Sequence, residues 1–260
     1  MHLVLGARGG ETYVVRASAG GPLKVLRPFL LPDGRAVVQV VHVGPGLLGG
    51  DELRVSVCVE AGAGAVVVSQ SATKVLGMRL GQRACHRVTL LVHEGGALEY
   101  YPGLVIPFAG AELLQDQEVL VEGGGRVGVL DLWAAGRIAR GEVGRFRRLS
   151  ARLHVKIDGR PVYADALELE PITRPVEGWG LLEGHRYLAS GYWQWGDVPE
   201  DMVQEEGLLL AWGRTAGGGT YLRALARDGL AMREALGRVL QTWRDLWGLP
   251  PVDLARYSSA

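Results

Sequence analysis

Four carboxylates stand out in the sequence because apolar or glycine-rich residues surround them. Asp51 ends the loop HVGPGLLGGD and Glu52 follows it, whereas Asp131 lies in VGVLDLW and Asp165 lies in VYADALEL. A carboxylate among apolar neighbours needs a partner, a cation or water, because burying an unpaired charge is costly. Each acid is therefore either half of a structural salt bridge, for which Arg137 is the plainest partner of Asp131, or part of a functional site.

One enzymatic chemistry would use such acids. A glycoside hydrolase places two carboxyls roughly 5 to 9.5 Å apart beside its substrate in an open cleft. Asp51 with Asp131 or Asp165 is the candidate pair, on a β-solenoid body. Local spacing does not tie these acids together, so the catalytic pair stays a hypothesis. A bare interaction module, in which arginines neutralise every acid, is a further alternative.

The glycine-rich loop at 42–51 admits three interpretations: a phosphate cradle, a metal-holding loop or a tight corner. Gly49-Gly50 lacks the Lys-Ser/Thr that follows in a P-loop, and the acids that follow instead would repel phosphate. No histidine lies at i, i+4 or HxH spacing with another, so the sequence does not predict a preformed zinc or nickel cage. The six histidines are His2, His42, His86, His93, His154 and His185.

Composition excludes several classes of protein. The 260 residues are 48% apolar, and 28 Lys+Arg balance 28 Asp+Glu, so there is no basic field for nucleic acid. The sequence lacks a run of about 18 apolar residues, so we expect no membrane span. The first residues lack the pattern of a signal peptide. Two isolated cysteines, Cys58 and Cys85, fit a reducing cytoplasm.

Alternating apolar residues predict a mainly β protein from about residue 12 to 227. A pattern of strand, acid, glycine turn and strand recurs at Glu60, Glu94 and Glu122. Such repeats predict short strands stacked in a β-helix-like, solenoid-like body. Three ordinary hairpins in a sandwich are the alternative. Asp158-Gly159 predicts one true hairpin.

Apolar residues at helical spacing predict one amphipathic helix from about 230 to 247, which Gly248 and Pro250-Pro251 end. Its apolar stripe is expected to face the core. The prediction is a single domain over 1–260. The Trp-rich stretch 179–195 and the C-terminal end are the candidate docking surfaces.

Several motifs, in one order, resemble a known family. GPLKVLRPFLLPDGRAVVQVVHVGPGLLGGDEL (21–53) resembles the opening of the urease accessory protein D family, called H in some bacteria, which shows GPL-x-VQRPFY and then HPPGGLVGGD. Later family motifs are matched by SATKV (71–75), GALEYYPGLVIPFAGA (96–111), LDLWAAGRIARGE (130–142) and LHVKIDGRPVYADAL (153–167). The resemblance covers about residues 20–170, and ordered motifs are more specific than any one of them.

The resemblance implies a non-catalytic scaffold for urease maturation. Members of this family have a β-helix-like body and bind accessory protein F, which recruits the GTPase accessory protein G. The assembly docks on the urease apoprotein, and nickel from the GTPase passes through an internal channel in F and D. For this chain the resemblance implies Ni²⁺ in transit and no tightly bound cofactor.

By motif position, five residues match the expected channel lining: Asp51, Glu52, Thr73, Asp131 and Asp165. Ni²⁺ is borderline in softness and accepts oxygen and water ligands. A conduit must hold it weakly, and scattered carboxylates with water do so better than a His/Cys cage. The sequence departs from the family at Val75-Leu76 and Ala134-Ala135, which concerns partner binding more than the fold.

Overall fold

A computed structural model describes residues 1–178 and 180–254. Strands make up most of the ordered structure. A short 3-10 helix, Ile138–Arg140, and one α-helix, α1 (Gly229–Leu246), accompany them. The strands of the described residues are β1 (His2–Arg8), β2 (Glu11–Ser18), β3 (Leu23–Val25), β4 (Phe29–Leu30), β5 (Ala36–His42), β6 (Glu52–Val59), β7 (Gly64–Ser69), β8 (Thr73–Val75), β9 (Ala84–Val92), β10 (Ala97–Tyr101), β11 (Leu104–Pro107), β12 (Glu112–Val121), β13 (Arg126–Ala134), β14 (Arg148–Ile157), β15 (Arg160–Leu169), β16 (Tyr187–Gln194), β17 (Asp201–Glu205), β18 (Leu208–Arg214) and β19 (Thr220–Ala226).

Two sheets face each other, and the chain passes back and forth between them. One sheet has the order β15-β14-β12-β9-β6-β1-β2, and the other has the path β17-β18-β19-β16-β13-β10-β7-β5-β3. Strands β6, β9, β12 and β14 pair in parallel, as do β5, β7, β10 and β13. This arrangement confirms the solenoid-like β body.

The repeated acid-glycine turns are the corners of this solenoid. Each turn, after Glu60, Glu94 and Glu122, carries the chain from one sheet to the other, so the sandwich of ordinary hairpins is wrong. Parallel pairing holds successive coils in register, with Val59 beside Val92 and Val92 beside Val121. The predicted hairpin at Asp158-Gly159 is confirmed by the antiparallel pairing of β14 and β15.

The core fills the space between the sheets because alternate residues point inward. Leu53, Val55, Val57 and Val59 of β6 are all buried there, as their alternation predicted. β7 is buried on both faces, since α1 covers part of the outer face of its sheet. A strand with both faces covered reads as a continuous apolar run, here GAVVVS.

Helix α1 confirms the predicted C-terminal helix. The Asp228 carboxylate accepts a hydrogen bond from the Ala231 N–H at 2.9 Å and caps its start. Its inner face buries Met232, Ala235, Leu236, Leu240 and Trp243, whereas Leu246, a member of the predicted stripe, is 58% exposed. No helix in the described part of the chain is long and apolar enough to cross a membrane.

The Trp-rich stretch is used mainly inside the fold. Trp193 is fully buried and meets Trp243 edge-on with the ring centroids 5.0 Å apart. Trp195 stacks on Trp247 at 5.8 Å. Trp193 is therefore not available for docking, Trp195 is half-buried, and Trp179 lies outside the described residues.

Candidate functional site

A line of polar side chains crosses the otherwise apolar space between the sheets. Its members occupy inward positions where alternation calls for Val or Leu. In order along the solenoid they are His42, His86, Gln115, Gln117, Asp131, Ser190, Asp165 and Arg223. We call this set the polar path. Strand register explains the line, since His86 pairs with Gln115 and Asp131 pairs with Ser190 across neighbouring strands.

Asp131 is the most buried carboxylate of the path, at 5% exposure. The Gln117 amide donates a hydrogen bond to it, and Gln115 also lies within hydrogen-bonding reach. Desolvation raises the pKa of Asp131 to about 7, and the negative charge of Asp165 adds to the rise while the two amides oppose it. The carboxyl therefore changes its charge near neutral pH.

A second feature beside Asp131 is an unsatisfied oxygen. Gln117 donates its amide N–H to Asp131, and its Oε1 is buried without a hydrogen-bond partner among the described residues. Buried polar atoms are normally paired, so an orphaned acceptor calls for a bound donor or cation. The path thus presents two kinds of oxygen at its centre, a carboxylate and a free amide oxygen.

Asp165 and Arg223 lie at one end of the path. The Ser190 hydroxyl donates to Asp165 at 2.6 Å, and the Arg223 guanidinium forms an ion pair with the same carboxylate. The Asp165 side chain is 12% exposed and the Arg223 side chain is 40% exposed, so the path meets solvent here. Tyr163 and Tyr192 stack beside it with centroids 4.5 Å apart.

The other end of the path is a small cavity of about 40 Å³, lined in part by His42, His86, Thr73, Ser69 and Tyr100. His86 Nδ1 lies 3.3 Å from the Gln115 side-chain oxygen. Burial lowers the pKa of His86 to about 4, so the imidazole is neutral at physiological pH. Two of the six histidines therefore share one cavity, a juxtaposition that sequence spacing did not reveal.

The structure does not bring Asp51 and Glu52 together with this line. Asp51 is exposed and accepts the Leu48 N–H at 2.8 Å. Glu52 points outward and pairs with Arg54 and Arg87, each at 2.8 Å. The Arg54 hydrogen bond lowers the pKa of Glu52.

Salt bridges account for some of the candidate acids but not for Asp131. The proposed partner Arg137 is wrong, because its guanidinium Nε donates to Glu142 at 2.7 Å. Asp165 does follow the salt-bridge alternative, through Arg223. Within the described residues, no three His, Cys, Asp or Glu side chains gather as metal ligands.

Comparison with known proteins decides the family. The family described as "UreD urease accessory protein" matches residues 1–256. The chain belongs to the UreD family. It is 43% identical to urease accessory protein UreD 1 of Synechococcus sp. (strain JA-3-3Ab) over 98% of this chain and 94% of that protein. It is 33% identical to urease accessory protein UreD of Deinococcus radiodurans, again over 98% and 94%. A relative in Actinomyces naeslundii is 30% identical over 99% of this chain.

Sequence reasoning missed several polar members of the path in this UreD family chain. Gln115 and Gln117 interrupt the inward series of β12 between Leu113 and Val119. Two consecutive inward glutamines in LLQDQEVLV are the signal that could have found them. Nothing local marks Arg223, because its partner Asp165 lies on another strand of the opposite sheet.

The glycine-rich loop of this UreD family chain fastens the strand that carries Thr73. The Leu47 N–H donates to the Lys74 carbonyl at 2.8 Å, and the Leu76 N–H donates to the Leu47 carbonyl at 2.9 Å. Gly46 has a φ of 141°, and a Cβ there would lie 2.6 Å from the Lys74 oxygen. The glycine therefore permits the close backbone approach that sets the cavity wall.

Gly46→Ala is expected to destabilise the fold by roughly 2–3 kcal/mol, since it combines a strained φ with a backbone clash. Chemical denaturation of both proteins measures the effect. Gly50→Ala is the matched control, because Gly50 also has a positive φ (93°) but no atom lies within 4 Å of its Cβ position. Equal losses in the two variants would contradict the close-approach argument.

Proposed function

We propose that this chain is a urease maturation factor that acts as a non-catalytic scaffold. It joins accessory proteins F and G to the urease apoprotein, and it lets Ni²⁺ pass to the nascent active site. Membership of the UreD family supports the maturation role. The proposed location is the cytoplasm, where the two free cysteines Cys58 and Cys85 would stay reduced.

The polar path is the observation that carries the nickel proposal. Each polar group buried along this line costs desolvation energy, and an apolar residue in its place would avoid that cost. A function for these polar groups explains why the core contains them. Asp131, the free oxygen of Gln117 and Asp165 supply the oxygen ligands that Ni²⁺ accepts. Since these ligands are spread along the line, a cation would be held weakly and released onward.

The hydrolase alternative finds less support in the geometry. A glycosidase needs both carboxyls at an open cleft. Asp131 is buried between the sheets, whereas Asp51 is exposed on the surface and engaged with its own loop. Asp165 is held by Arg223 and Ser190. These acids do not face a common groove.

The double variant Asp131→Ala with Asp165→Ala is expected to reduce urease activation at least about tenfold in cells, while assembly with accessory proteins F and G persists. The reason is loss of the two carboxylates that would pass the metal along. Co-expression of this chain with F, G and the urease subunits, followed by co-purification, nickel content and urease activity, measures both parts.

Asp116→Ala is the matched control. Asp116 lies between Gln115 and Gln117 on β12 but points outward, so activation should be unchanged. Asp51→Ala with Glu52→Ala tests whether those exposed acids contribute, and we expect activation close to that of the unaltered protein. Normal nickel loading by the Asp131/Asp165 variant would refute the role of the polar path in nickel transfer. Absence of any complex with F, G or urease would refute the scaffold role.

A further inference from the structure

Two histidines at one end of the polar path each have one ring nitrogen beside an oxygen, as metal-binding histidines usually do. His42 Nδ1 lies 3.3 Å from the Gly44 carbonyl oxygen, and His86 Nδ1 lies 3.3 Å from the Gln115 side-chain oxygen. An oxygen acceptor requires that each Nδ1 carry the proton. A second partner of this kind fixes ring orientation and tautomer in metal sites, and it leaves Nε2 as the ligand atom.

The amide of Gln115 gives independent support for this tautomer. The Gln115 side chain also hydrogen-bonds the Asp131 carboxyl in the sense that opposes the rise of its pKa. A bond of that sense is donated to the carboxyl oxygen, so the Gln115 NH₂ group faces Asp131. The Gln115 oxygen is then turned toward His86. This orientation assigns the proton of His86 to Nδ1 and leaves Nε2 with a lone pair.

His42 Nε2 is buried and has no hydrogen-bond partner among the described residues. It is therefore an orphaned acceptor, like the oxygen of Gln117 farther along the path. The ring lines the same cavity as His86 and Thr73. A space of about 40 Å³ suits one cation or one water, since a water occupies roughly 30 Å³ in the liquid.

We propose that His42 and His86, with the Thr73 hydroxyl and water, form a two-imidazole site for a borderline divalent cation at the His42 end of the polar path. The inference rests on the proposed function for the identity of its cargo, Ni²⁺. Imidazole nitrogen suits Ni²⁺, Co²⁺ and Zn²⁺, whereas Mg²⁺ prefers oxygen ligands. Two protein nitrogens make a station that selects the metal, and the oxygen-lined remainder of the path then passes it on.

Direct titration of the tag-free, full-length chain with NiCl₂ tests the site without urease. Isothermal titration calorimetry should show one Ni²⁺ bound, and His42→Ala and His86→Gln should each weaken binding at least about tenfold. His154→Ala is the matched control, because His154 is exposed on β14 and outside the cavity. A tenfold excess of MgCl₂ should not compete.

A second readout needs no substitution, so a poorly folded variant does not weaken the test. In nitrogen-15 NMR spectra of the imidazoles, substoichiometric Ni²⁺ should broaden the His42 and His86 resonances first. Broadening confined to His2, His93, His154 or His185, or unchanged affinity in His42→Ala, would overturn the site.

The outcomes separate this inference from the proposed function. If the Asp131/Asp165 variant fails to activate urease and the histidine variants bind nickel normally, the histidine site is refuted and the nickel path is supported. If nickel binding depends on the histidines but the Asp131/Asp165 variant activates urease normally, the histidine site is supported and the nickel path is refuted.

Discussion

Asp131→Asn is expected to raise the free energy of unfolding by up to about 4 kcal/mol at pH 8 and to change it little near pH 4. Burial raises the pKa of Asp131 from 3.8 to about 7. Each unit of pKa difference between the folded and unfolded states corresponds to about 1.4 kcal/mol. Asparagine keeps the hydrogen bond from Gln117 and has no charge to bury.

The sign follows from proton linkage. Between pH 4 and 7 the folded chain keeps a proton on Asp131 that the unfolded chain has lost. Stability therefore falls as pH rises through this window, and the loss is complete above the folded pKa. Asparagine does not titrate, so the variant should lack this part of the pH dependence.

Denaturant unfolding of the unaltered protein and Asp131→Asn, at several pH values from 4 to 8, measures the difference directly. Asp116→Asn is the control for a carboxylate on the outward face of the neighbouring strand β12. Parallel pH profiles for the unaltered protein and Asp131→Asn would contradict the prediction. They would indicate that water in the path hydrates the Asp131 carboxylate enough to keep it ionised.

Arg244→Met is expected to destabilise the chain by roughly 3–5 kcal/mol, the usual effect of removing one partner of a buried ion pair. Arg244 extends from α1 and pairs with Glu99 of β10, and their side chains are 4% and 2% exposed. Arg35 reaches the same carboxylate at 3.1 Å, and the Tyr101 hydroxyl donates to it at 2.8 Å. This cluster fastens the C-terminal helix to the outer face of the larger sheet.

Restoring charge balance should recover part of the loss. In the double variant Arg244→Met with Glu99→Gln, the carboxylate that has lost its Arg244 partner is gone, and Arg35 keeps its 2.6 Å pair with Asp33. Urea denaturation of the four proteins of this double-mutant cycle yields the coupling energy. Arg238→Met, exposed on the same helix, should lie within about 0.5 kcal/mol of the unaltered protein. Additive effects in the cycle would refute the coupling of Glu99 and Arg244.

Local patterns predicted the secondary structure well for strands with one buried face and for the amphipathic helix. Alternation located β6, and helical spacing with Gly248 located the end of α1. Strands begin at His2, ahead of the predicted start of the β body near residue 12. Asp165 was expected among apolar neighbours, and its pairing with Arg223 joins two strands that lie far apart in the sequence.

The sequence by itself determined the family, through ordered motifs, and the solenoid-like class, through repeated strand-acid-glycine phrases. Both signals are local, because a turn or a two-residue period involves only neighbouring residues. The tertiary structure decided which polar groups meet. Strand register stacks residues one coil apart, so Gln115 reaches His86 and Asp131, while Asp51 remains at the surface. The spacing of residues along one strand carries no information about that register between coils, which is why only the folded chain shows the polar path.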